Sequence, residues 1–163
     1  MNELIPLAER VAALLIENRQ TVAVSESSTG GLIMASLLAV PGASAYCFGG
    51  VVLYTTQSWW ALRGFSEDVL QGCRSATKEN ALIRASFIRD RFNATWGIGE
   101  TGAAGPAGNR YGDPAGHTCI AVSGPVESAI MLRTGRNERV ENMLAFSRAA
   151  LTHFHNAMAP GQR

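Results

Sequence analysis

The sequence predicts a single α/β domain of three α/β/α layers, with helices on both faces of a mixed, mostly parallel sheet. Three observations predict it. Short β-branched runs alternate with segments of helical periodicity along the chain. The 163 residues, 47% of them hydrophobic, suffice for one core, and no low-complexity stretch marks a second. The last two strand candidates, "HTCIAVS" and "SAIMLRT", flank a Gly124-Pro125 turn and read as a hairpin, which makes the sheet mixed. The domain is expected to fill residues 1–163.

In chain order, Leu4, Ala8, Val11 and Leu15 recur at helical spacing and define an amphipathic helix over 3–18. A strand follows at 21–25. The next helix starts near Thr29 and is apolar nearly all round, hence buried, until Pro41-Gly42 ends it. "YCFGGVVLY", 46–54, is a strand in which Gly49-Gly50 marks a bulge or a close backbone approach. Residues 56–63 read as a short helix. Ser75 is placed to cap a longer one whose buried stripe is Ala81, Ala85, Ile88 and Phe92. "ATWGIG" is a strand, and 101–116 is a glycine- and proline-rich loop. After the hairpin, Val140, Leu144, Ser147, Leu151, Phe154 and Met158 set out a final helix.

Composition narrows the function. A net charge of +1 and a pI near 7.8 leave no basic footprint for nucleic acid. The first residues carry acids rather than a basic leader, and no apolar run approaches the roughly 20 residues a bilayer requires, so neither a signal peptide nor a membrane partner is expected. Cys47, Cys73 and Cys119 are odd in number and widely spaced, which argues against a disulfide framework and a zinc site. The expected location is cytoplasmic.

Two stretches carry the chemistry. In "ESSTGG", Glu26, Ser27, Ser28, Thr29, Gly30 and Gly31 join a strand to a helix, where free amides and the helix dipole suit an anion or a developing oxyanion. Two roles are open to its hydroxyls: a helix cap by Ser28 or Thr29, or a nucleophile, which would need a base. The loop 101–116 is longer than a compact domain usually carries without function, and its glycines let amides approach a ligand. Gly97-Ile98-Gly99-Glu100-Thr101-Gly102 spells a dinucleotide fingerprint, but Gly105, Pro106, Gly108 and Pro114 prevent the helix that such a site needs.

"SESSTGGLIMASLLAVPGASAYCFGGVVLYT" together with "TGAAGPAGNRYGDPAGHTCIAV" resembles the carboxy-terminal domain family of the CinA competence/damage-inducible proteins, whose active members are nicotinamide mononucleotide deamidases. The likeness covers nearly the whole chain. It implies an amidase that uses no metal or cofactor, a mononucleotide or related amide as ligand, and a homo-oligomer. It places the serine nucleophile on Ser27 and the site tyrosine on Tyr54, and it makes Thr101, Gly102, Gly105, Pro106 and Gly116 the substrate-side loop. The family lysine that activates the serine falls on Trp59, so the base must come from elsewhere. Glu100 and His117 stand where the family has an apolar residue and a threonine, and a histidine oriented by a carboxylate is the candidate base. The alternative is a catalytically silent module that binds a mononucleotide on the same fold. Trp59 and the adjacent Trp60 cannot share one helix face; one is expected to pack inward, or to lie over a planar ligand ring as a lid.

Overall fold

The computed structural model describes residues 1–62, 67–70 and 72–159. It begins with α1 (Ile5–Glu17), β1 (Val22–Glu26) and α2 (Leu32–Leu38), then passes through a 3-10 turn at Ala43–Ala45 into β2 (Cys47–Val52). Two short helices, α3 (Thr56–Ala61) and α4 (Glu67–Leu70), precede α5 (Lys78–Phe92). The chain then runs through β3 (Trp96–Ala103), β4 (His117–Ser123), β5 (Ser128–Arg133) and α6 (Arg139–Met158). The five strands form one sheet in the order β2-β1-β3-β4-β5. β1 runs parallel to both β2 and β3, whereas β3-β4 and β4-β5 are antiparallel, so the mixed sheet has two pairs of each kind.

Alternation along the strands sorts their side chains into two layers. Val22, Val24, Ile98, Ile120 and Val122 enter the larger core with Leu4 just before α1, Val11 and Leu15 of α1, Ile33 and Leu37 of α2, and Leu151 and Phe154 of α6. The other face meets α5, where Ala81 and Ala85 pack on Cys119 and Ala121. α5 lies unusually close to β3. A Cβ on Gly97 would sit 1.9 Å from the Ala85 carbonyl oxygen, and one on Gly99 would sit 2.1 Å from that of Ala81. Gly97 and Gly99 of the apparent dinucleotide fingerprint therefore serve helix-on-sheet packing, whereas a Cβ on Gly102 would meet the His117 carbonyl oxygen and Thr118 of β4.

Several boundaries differ from the sequence expectation, each for a local reason. α5 is capped by Thr77, whose hydroxyl accepts from the Asn80 amide at 3.1 Å, rather than by Ser75. β3 runs to Ala103 because its partner β4 pairs Ala103 with His117, so the connecting loop starts only at Ala104. α2 starts at Leu32, three residues after Thr29, because Gly30 and Gly31 adopt left-handed backbone with φ of 66° and 97°. The expected irregularity at Gly49-Gly50 is present: Val22 pairs with Cys47 but Ala23 with Gly49, which leaves Phe48 as the extra residue of a bulge. The short helix expected over 56–63 ends at Ala61, and Arg63 lies outside the described residues. Among the described residues, no helix is long and apolar enough to cross a membrane.

Candidate small-molecule site

β1, β2 and β3 are mutually parallel, and a cavity of about 1020 Å³ opens beyond their carboxyl ends. Open α/β sheets characteristically place ligands in such a crevice. Ser27 reaches it from the end of β1, Tyr54 from the segment after β2, and Thr101, Gly102 and Gly105 from the end of β3 and the loop beyond. Trp59 and Trp60 of α3 both line it; Trp59 is buried at 6% exposure while Trp60 is 56% exposed, which divides the pair as their adjacent positions require. Among the described residues, Ser27 Oγ has no hydrogen-bond partner.

The rest of the "ESSTGG" junction is turned inward and consumed by two carboxylates. Glu26, at 1% exposure, accepts from the amides of Gly31 at 2.9 Å, Ile33 at 3.1 Å and Met34 at 2.8 Å, so it caps α2 in place of a hydroxyl. Burial pushes its carboxyl above the usual range, against the pull of those amides. Glu100 is fully buried and accepts five bonds. Its Oε2 takes the Ser27 amide at 3.0 Å and the Thr29 amide and hydroxyl at 3.1 and 2.9 Å; its Oε1 takes the Thr118 hydroxyl at 2.8 Å and the Ser28 hydroxyl. The amides expected to hold an anion at this junction are thus occupied by the chain's own carboxylates. Gly30, between the two carboxylate-bound stretches, does not line the cavity, and a Cβ there would sit 2.8 Å from the Met143 methyl. Ser28 and Thr29 are buried anchors, and neither lines the cavity.

His117 and Glu100 are not brought together. The β3-β4 register pairs His117 with Ala103 and Glu100 with Ile120; opposite residues share a face and alternation reverses it, so the two side chains leave opposite faces of the sheet. Nor does His117 meet Ser27. β1 and β4 flank β3, so side chains on one face start about 10 Å apart. The ring is also engaged: Nε2 lies 2.9 Å from the Ala76 carbonyl oxygen, Nδ1 accepts from Arg133 Nε at 3.4 Å, and Asp113 is 3.9 Å from Nε2. His117 does not line the cavity. Gly116 turns the loop back with φ 80° against Thr134 and Arg136, and Pro106 is exposed outside the lining.

Four arginines line the cavity instead: Arg74, Arg84, Arg110 and Arg139. Among its described lining residues there is no Asp, Glu, His or Lys. Arg139 begins α6 and donates to the Gly105 carbonyl at 2.7 Å and to the Tyr54 hydroxyl at 2.8 Å, tying the loop to the tyrosine. Arg74 pairs with both oxygens of Asp113, at 2.6 and 3.3 Å, which holds the Asp113 carboxyl below its usual range. Asn109 completes that loop: its amide group donates to Asp113 at 2.8 Å and its oxygen accepts from the Tyr111 and Asp113 amides. Arg84 is only 2% exposed, and its guanidinium lies 4.2 Å from the Trp59 ring centroid, within cation-π range. Its Nε donates to Asn80 at 2.8 Å and its Nη1 to the Leu53 carbonyl at 3.4 Å. Burial pushes it down to about 10, partly offset by the charge of Glu100, so it remains a cation at neutral pH.

None of these arginines was singled out by the motifs. Arg84 carried a signal, because it interrupts the apolar stripe of α5 between Ala81 and Ala85, one helical turn apart. Arg74 and Arg139 reach the cavity through tertiary contacts with Asp113 and Tyr54, 39 and 85 residues away.

The fold and the site together define an α/β/α domain with an arginine-lined cavity at the ends of its parallel strands. The chain belongs to the CinA C-terminal domain family, whose model matches residues 4–158. It is 38% identical over 130 residues to a CinA-like protein of Gloeobacter violaceus, covering 79% of this chain and 30% of that protein. With a CinA-like protein of Myxococcus xanthus it is 36% identical over 160 residues, covering 94% of this chain and 38% of the relative. The chain thus spans about a third of the length of these curated relatives. Among solved structures, the competence-damaged protein (CinA) superfamily protein of Klebsiella pneumoniae 700603 superposes with a TM-score of 0.88 at 23% identity, covering 96% of this chain and 98% of the other. The competence/damage inducible protein CihA of Agrobacterium tumefaciens does so with a TM-score of 0.83 at 28% identity, covering 96% and 95%.

Proposed function

We propose that this domain is a binding module for an anionic small molecule of mononucleotide size, and that it lacks the amidase activity its motifs suggest. One observation carries the reading: the cavity is lined by four arginines and, among its described residues, by no group that can take a proton from Ser27 at neutral pH. A serine hydroxyl is a weak nucleophile until an adjacent base activates it. The Ser27 and Thr29 amides, which would be natural donors to an oxyanion, are bound to Glu100. Guanidinium groups without carboxylate partners suit phosphate and carboxylate groups. Arg139 is so placed at the mouth, between Tyr54 and the Gly105 carbonyl.

A second reading, hydrolysis of nicotinamide mononucleotide by Ser27, is favoured by the free Ser27 hydroxyl at the cavity wall. The two separate cleanly. With nicotinamide mononucleotide or ribose 5-phosphate in excess, the melting temperature should rise, and the rise should shrink in Arg139→Ala; a ligand at about 100 times its Kd adds about 2.7 kcal/mol. No ammonia should accompany it. Ammonia release from nicotinamide mononucleotide that disappears in Ser27→Ala would establish the amidase instead.

A further inference from the structure

The cavity has two unlike ends. Arg74, Arg110 and Arg139 are exposed around the mouth, whereas Arg84 is buried in the wall against Trp59. Arg84 is unusual in three respects. Its guanidinium is nine-tenths buried or more, and among the described residues it makes no ion pair and its Nη2 donates no hydrogen bond. Glu100 tempers its charge only through space, because both Glu100 oxygens already accept from other donors. A buried cation left with a free donor edge is costly unless an anion completes it. The stack on Trp59 also fixes the plane of the guanidinium, and Trp59, Leu70, Ala103 and Ala104 contribute apolar surface to the cavity lining.

We infer that Arg84 is the receptor for a carboxylate on a planar ring, so that the cavity selects a mononucleotide bearing an aromatic acid over the corresponding amide. This rests on the anion-binding reading above and names the ligand class within it. A carboxylate conjugated to a ring is coplanar with it and meets the free edge of Arg84 while the ring lies along the apolar wall. A phosphate has more acceptor oxygens than one donor edge can satisfy, and the arginines at the mouth provide the greater number. A carboxamide at the inner position would bring an NH₂ group toward a cation that cannot accept a bond from it.

Isothermal titration of the intact chain with nicotinate mononucleotide, nicotinamide mononucleotide and ribose 5-phosphate tests this. The acid should bind about tenfold to a hundredfold more tightly than the amide, as expected for a hydrogen bond to a charged partner. Arg84→Gln should bring the ratio of acid to amide affinity to about one. Arg139→Ala should weaken all three alike. Equal binding of acid and amide by the unaltered chain would overturn the proposal while leaving the phosphate-binding module intact, and this comparison holds even where Arg84→Gln fails to fold. Absence of binding by all three would overturn both readings together.

Discussion

Glu100 shows how one side chain can decide what a motif is able to do. It sits in the core, yet its carboxylate is met by five donors from two segments, the 27–29 junction and β4, so its burial is compensated by hydrogen bonds rather than by a paired cation. Removing it takes away the one acceptor those donors share. Glu100→Ala is expected to cost about 3–5 kcal/mol of folding stability, read as a lowered midpoint in urea denaturation. Glu100→Gln should cost less. Its amide NH₂, placed where Oε1 lies, can be met by the Ser28 and Thr118 hydroxyls turning to accept. Were Glu100 instead an orienter of a catalytic histidine, the alanine variant would keep its midpoint and lose only activity.

At the scale of elements, α2 is a short helix held at its start by Glu26 from the preceding strand. The folded carboxyl of Glu26 is raised above its ordinary 4.5, so the folded state binds this proton more tightly than the unfolded chain. The contribution is therefore fully present below the unfolded value and is lost as pH rises through the folded one. Stability measured by urea denaturation should fall with rising pH across that window, and Glu26→Gln should flatten the slope. A slope unchanged by the substitution would assign the dependence to another group.

The elements themselves were largely legible, because periodicity and glycine punctuation are local signals: β4 was delimited by "HTCIAVS", and α1, β1 and α6 lie within two residues of their expected ends. Ser27 and Tyr54 were located by motif, and the structure brings both to one cavity. What could not be read was register. Whether Glu100 and His117 share a face depends on which residues β3 and β4 set opposite each other, and a shift of one residue reverses the answer. The arginines were hidden for a related reason: Arg74, Arg84 and Arg139 come from three separate elements, and no spacing rule links them.

For the molecule as a whole, the two faces of the sheet divide the labour. The face against α1, α2 and α6 holds the larger apolar core together with Glu26 and Glu100, and the face against α5 carries the cavity wall. The three tryptophans follow the same division: Trp96 is buried edge-on against Phe154 in the larger core, Trp59 lies under the Arg84 guanidinium, and Trp60 stands at the cavity edge. An indole in contact with a cation has its excited state tuned by that charge, and an anion arriving at Arg84 would change the field it feels. The emission of the chain should therefore shift when nicotinate mononucleotide binds, and the signal should vanish in Trp59→Phe while surviving Trp60→Phe. The stack that holds a guanidinium in the wall of the cavity thus doubles as a built-in optical gauge of the charge beside it.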